Sequence, residues 1–132
     1  MEIRSLSAKG RVPVTVLQIV GDVDTHTYEQ LEAQAKQAHA DGATDIVLDL
    51  AEVGYVSSAG IRAINVLYRL LQTGAPEESD EAAREGIRAG TFKSRHLKLA
   101  NLNRRVSDAL KIAGVDMFLE LHPSLASAIE SF

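Results

Sequence analysis

The sequence contains no cysteine. A disulfide framework, a thiol nucleophile and a thiolate metal site are therefore excluded. Long apolar runs are also missing, so nothing reaches the length needed to span a bilayer. Glu2 and Arg4 stand where the apolar core of a signal peptide would begin. Basic charge is in short supply, with 14 Lys and Arg against 18 Asp and Glu and a formal net charge of −4. That balance argues against a nucleic-acid partner, which needs clustered cations to meet a phosphate backbone. The histidines His26, His39, His96 and His122 are scattered, with no pair at helical ligand spacing. Gly90-Thr-Phe-Lys-Ser lacks the Gly-Lys-Ser adjacency of a phosphate-binding loop. The chain has no internal repeats. The expected setting is the reducing cytoplasm, with no membrane, no metal and no cofactor.

What is present is the composition of a globular domain. Of 132 residues, 45% are apolar and 24% charged, enough to bury one core. The organising stretch is 45–71. Ile46, Val47, Leu48 and Leu50 form a nearly continuous apolar run, the mark of a strand covered on both faces. Ala63, Ile64, Leu67, Leu70 and Leu71 then recur at three- and four-residue spacing, while Arg62, Asn65 and Arg69 fall together on another helical face. Between strand and helix lie Ser57, Ser58 and Gly60. Two hydroxyls are thus placed at a helix start, where the first amide groups lack partners and the helix dipole is positive.

Around this centre the remaining elements follow in order. Glu2–Ser7 alternates at period two, and 12–20 is rich in β-branched residues. Ala8-Lys-Gly-Arg between them predicts a hairpin, with Pro13 at the start or edge of its second strand. Gly21-Asp-Val-Asp24 ends that strand. Asp24 or Thr25 is expected to cap a helix that buries Tyr28, Leu31, Ala35 and Ala38 and stops at Asp41-Gly42. The central helix is expected to end at Thr73-Gly-Ala-Pro76. A strand over 96–102 leads to a helix over 103–113, with Val106, Leu110 and Ala113 inward and Gly114 as its stop. A short strand follows over 115–121. A last helix has Pro123 as its first residue and Leu125, Ala128 and Ile129 packing back. This order predicts an α/β layered domain with a mixed sheet of about five strands and about four helices.

The junction at Ser57, Ser58 and Gly60 resembles the signature of STAS domains, particularly those of anti-sigma factor antagonists. In that family an apolar-Asp-Leu strand passes through a short loop to Asp/Ser-Ser-x-Gly-Leu/Ile and a helix. The family's phosphorylated serine corresponds to Ser58, and Ser57 stands where many members carry Asp. Gly21 through Asp24 matches the family's Gly-x-x-Asp element, and 103–129 resembles its closing pattern. The resemblance implies a protein-binding phosphoswitch in transcription regulation. Its unphosphorylated form binds an anti-sigma factor with serine protein kinase activity, and a metal-dependent serine/threonine phosphatase resets it. It implies Ser58 as the phosphoacceptor, with Ser57 as the alternative. It also implies a partner-binding surface of Asp22, Asp24, Thr25, Ser57, Ser58, Gly60, Arg62, Asn65 and Arg69. Two other roles fit such a module, a scaffold in a larger stress- or secretion-signalling assembly to which 76–96 contributes contacts and a small-ligand sensor using the sheet edge near Ser58.

Residues 76–96 depart from the family, whose members use a short loop here. An acidic run, 77–81, precedes basic Lys93, Arg95 and His96, and Ser79 is placed to cap a short helix over 80–85. The expectation is one domain, 1–132, carrying a solvated insertion at about 76–96, with a partner-specific arm as the sharper alternative. A hydrolase is disfavoured. Val56 occupies the place of the first glycine in a Gly-x-Ser-x-Gly elbow, although Asp116 and His122 follow in hydrolase order.

Overall fold

The computed structural model describes residues 1–72 and 94–132. Strands β1 (Glu2–Lys9) and β2 (Pro13–Val20) form the antiparallel hairpin, with Pro13 as the first residue of its strand, opposite Lys9. Helix α1 (Tyr28–Ala40), strand β3 (Ile46–Glu52) and helix α2 (Ser58–Gln72) follow. After residue 93 come β4 (Leu97–Ala100), α3 (Arg104–Ile112), a 3-10 turn (Val115–Met117), β5 (Glu120–His122) and α4 (Leu125–Glu130). The sheet order is β1-β2-β3-β4-β5. β1 is antiparallel to β2, and the remaining pairs are parallel, so the sheet is mixed.

β3 lies at the centre and is covered on both faces. Its even-numbered Ile46, Leu48 and Leu50 join the main core with α1, α2 and α3, whereas Val47 belongs to a second cluster under α4. In α1 the fully buried residues are Leu31 and Ala35, with Tyr28 and Ala38 half-buried beside them. In α2 the buried stripe is Ala63, Ile64, Leu67, Tyr68 and Leu71. Leu70, expected inward, is half-buried, and Tyr68 takes its place by packing on the Phe118 ring at 4.9 Å.

Three local expectations are corrected. Val115 and Leu119, four residues apart, are both buried, a helical and not an alternating spacing. The chain therefore leaves Gly114 (φ +81°) as a 3-10 turn, and only Glu120–His122 form strand. Pro123 is not the first residue of the last helix; Ser124 caps it by accepting the Ser127 amide at 3.1 Å. Ala113 is exposed at the cap of α3, which buries only Val106 and Leu110.

Lys98 is 97% buried under α4. Its ammonium donates to the Ser131 carbonyl (2.9 Å) and hydroxyl (2.8 Å), pairs with Glu120 at 3.0 Å and lies over the Phe132 ring. A cation so buried is tolerated because each of its donors has a partner. It fastens the C-terminal residues to the sheet.

The proposed helix end at Thr73-Gly-Ala-Pro76, the cap at Ser79 and the acidic run lie outside the described residues. At the far side of that stretch Ser94 is buried. The His96 carbonyl accepts the Ile46 amide at 2.8 Å, and the His96 ring hydrogen-bonds Asp45 at 2.8 Å. Ser94 and His96, at the far edge of the expected insertion, are thus tied to the sheet, while Arg95 between them is exposed. α2 runs antiparallel to β3, so Gln72 and Ser94 both lie at the end of the sheet opposite Ser58.

Candidate functional site

The loop between β3 and α2 is held from both sides. Val53 and Val56 are buried and anchor it, leaving Gly54 and Tyr55 exposed. Toward β2, the Val23 amide donates to the Tyr55 carbonyl (3.0 Å), and the Ser57 amide donates to the Val23 carbonyl (2.9 Å). Toward β4, the Asn103 side chain donates to the Val53 carbonyl at 2.9 Å while its oxygen caps α3 by accepting the Val106 amide at 2.8 Å. One asparagine therefore starts a helix and pins the loop.

Ser57 is the cap of α2. It is half-buried, and its hydroxyl accepts the Gly60 amide at 3.3 Å. Ser58 is the first helical residue and is exposed. The two serines thus differ in role: one satisfies the backbone and the other presents its hydroxyl to solvent. Gly60 is required for closeness, since a Cβ there would lie 2.6 Å from the Val23 carbonyl oxygen and 2.8 Å from Val56 Cγ1.

The β2–α1 loop sits alongside. Asp22 is exposed, and its carboxylate lies next to Gly54 in the serine loop. Neither Asp24 nor Thr25 caps α1, contrary to expectation. The Asp24 carboxylate accepts the His26 amide (2.9 Å), and its carbonyl receives the amides of Thr27 and Tyr28. Thr27 occupies the cap position, but its hydroxyl donates to the Asp22 carbonyl (2.8 Å) and accepts the Asp24 amide (2.9 Å). The residues go into shaping the loop, and α1 starts without a side-chain cap. Thr25 is exposed on this turn.

On α2, Arg62 is exposed one turn beyond Ser58 and faces α1. The Tyr28 phenol there is held above its ordinary pKa, chiefly because it donates to the Glu29 carboxylate at 3.1 Å, while Arg62 pulls the other way. Asn65 and Arg69 lie about 10 and 16 Å further along the axis than Ser58. The structure therefore gathers Asp22, Ser57, Ser58 and Gly60, sets Asp24, Thr25 and Arg62 at the margin, and leaves Asn65 and Arg69 remote.

Several residues here escaped sequence reasoning. Arg105, exposed in the first turn of α3, lies over the Tyr55 ring at 5.0 Å, a pairing across fifty residues that no local pattern announces. The double role of Asn103 was half legible, since its type and place before an apolar-periodic run mark a helix cap. On the sheet face that α4 partly covers, Asp49 is buried and accepts from the Ala51 amide (3.1 Å) and Asn101 (3.0 Å). Asn101 itself adopts a left-handed conformation (φ +60°). A groove of about 300 Å³ beside it is lined by Arg4, Gln18, Asp49 and Glu52 among others.

The hydrolase constellation is not assembled. His122 hydrogen-bonds Ser127 (2.9 Å) and Glu120 (3.1 Å) beneath α4, on the opposite face of the sheet from α2 and Ser58. Among the described residues no group of three His, Asp or Glu could hold a metal ion, and no helix is long and apolar enough to cross a membrane.

Comparison with known proteins agrees with this architecture. No curated protein sequence matches the chain. Among solved structures, the Thermotoga maritima protein TM1081 superposes with a TM-score of 0.70 at 14% identity, over 96% of this chain and 92% of that one. An anti-sigma factor antagonist from Mycobacterium paratuberculosis gives 0.68 at 20% identity, over 97% and 92%. The Bacillus cell fate determinant SpoIIAA in its phosphorylated form gives 0.60 at 18% identity, over 98% and 97%. At such identities the likeness is one of fold. The family model of the STAS domain matches residues 5–75, more than half of the 132. With the strand–serine–helix junction inside that match, the chain belongs to the STAS domain family.

Proposed function

We propose that this domain is an anti-sigma factor antagonist-like phosphoswitch. Its unmodified form docks on an anti-sigma factor that is also a serine protein kinase, phosphorylation of Ser58 releases it, and a serine/threonine phosphatase restores it. The observation that carries this reading is the division of labour at the start of α2. Ser57 is occupied with the Gly60 amide, whereas Ser58 offers an exposed hydroxyl at the start of a helix whose preceding loop is fixed at both flanks. A kinase can reach Ser58 without unfolding anything. Phosphate at that place is compatible with the free protein, because a helix start favours an anion. In a docked complex the same group must be desolvated against a surface shaped for a hydroxyl, which costs several kcal/mol.

Titration calorimetry against the purified anti-sigma kinases of the source organism tests this. Wild type is expected to bind one of them and Ser58→Asp to bind at least tenfold more weakly. Equal affinity of the two forms sinks the proposal. Mass spectrometry after incubation with that kinase and ATP is expected to place the phosphate on Ser58 and not on Ser57.

A second reading, a small-ligand sensor, draws on the groove beside Asp49. A thermal-shift screen that finds a stabilising compound, abolished by Asp49→Asn, would favour it.

A further inference from the structure

The serine loop lies between two flanks of opposite sign. On one side stand Asp22, in the β2–α1 loop, and Glu52, the last residue of β3 and close to Arg4, both exposed. On the β4 side stand Arg104 and Arg105, also exposed, in the first turn of α3. Two arginines at that place oppose the helix dipole, and the turn contains no acidic residue to offset them. Arg104 reaches Asp108 only at 3.9 Å. Among the described residues Arg105 meets no carboxylate; its guanidinium lies over the ring of Tyr55, which is 39% exposed and three residues before Ser58. A chain with a net charge of −4 thus keeps an intrinsically unfavourable cation beside its serine junction and steadies it on an exposed aromatic. Local rules are broken in this manner where a surface serves a partner.

We propose that the Tyr55–Arg105 pair is part of the docking surface and receives a carboxylate of the partner protein. Stacking on Tyr55 holds the guanidinium plane while its N–H edges stay open, the arrangement suited to a two-point grip on a carboxylate. Tyrosine and arginine are also the residue types that dominate binding energy at interfaces. The assignment rests on the phosphoswitch reading and adds to it. A phosphate on Ser58 brings between one and two further negative charges to the loop that Tyr55 belongs to, where it opposes the same partner carboxylate that Arg105 attracts.

The test is calorimetry of the full chain against the anti-sigma kinase that binds wild type. Arg105→Glu is expected to weaken binding at least tenfold. Because a carboxylate suits a helix start, the same variant should melt no lower than wild type, which separates lost contact from lost fold. Arg105→Lys, which keeps charge but not the planar fork, is expected to fall between them. Raising the salt from 50 to 300 mM should weaken wild type more than Arg105→Gln. If Arg105→Glu and Tyr55→Ala both bind within twofold of wild type while Ser58→Asp loses binding, the inference is overturned and the phosphoswitch stands. If wild type binds none of these kinases, or Ser58→Asp binds as well as wild type, both are overturned.

Discussion

Gly60 lies directly against Val23: a methyl group added at its α-carbon would sit 2.6 Å from the Val23 carbonyl oxygen. That carbonyl also accepts the Ser57 amide, so the contact joins the first turn of α2 to the loop that bears Asp22. Gly60→Ala must push the two apart. The expected cost is about 1–3 kcal/mol, read as a lower urea midpoint at unchanged slope.

The two serines and Asn103 should separate cleanly in stability. Ser58→Ala removes an exposed hydroxyl and is expected to change unfolding free energy by less than about 0.5 kcal/mol. Ser57→Ala removes a cap and should cost about 0.5–1 kcal/mol. Asn103→Ala loses both a cap and the donor to Val53, and should cost about 1–2 kcal/mol. Asn103→Asp keeps the cap alone and should lie between wild type and Asn103→Ala.

Lys98 is fixed by Glu120, Ser131 and the Phe132 ring at the second face of the sheet. Lys98→Ala leaves a cavity and orphaned acceptors and is expected to destabilise by about 2–4 kcal/mol. Lys98→Met, which refills the volume, should recover part of that loss in the same denaturation experiment.

Tyr28 offers a spectroscopic check on the flank of the site. Its phenol is expected to ionise above the ordinary tyrosine range in an absorbance titration, with Tyr28→Phe identifying its contribution. Glu29→Gln should bring the midpoint down, since the Glu29 carboxylate is the main cause of the rise. Arg62→Ala should move it further up, because the guanidinium favours the phenolate.

The elements that were legible in the sequence are those whose burial follows one period. The run from Ile46 to Leu50 and the stripe from Ala63 to Leu71 give β3 and α2 directly, and the paired turn signals at Gly10 and Gly42 give their neighbours. Val115–Leu121 misled because an apolar-rich stretch of seven residues fits a strand until the spacing of Val115 and Leu119 is weighed against it. Asp24 misled because an aspartate before a helix has two equally local uses, and the loop claimed it before the cap could. At the site, Ser57 and Ser58 were visible as a pair. Their different duties depend on which hydroxyl faces the Gly60 amide, which spacing alone does not reveal. The contacts of Arg105 with Tyr55 and of Asn103 with Val53 join positions about fifty residues apart and arise only from the parallel order of β3 and β4.

α2 carries the chain about 21 Å away from Ser58 before Gln72, and β4 brings it back from Ser94. Whatever is spliced between those two positions is therefore attached at the antipode of the serine. A fluorophore coupled at Gln72, about 21 Å along the helix axis from Ser58, would report on complexes without standing in their way.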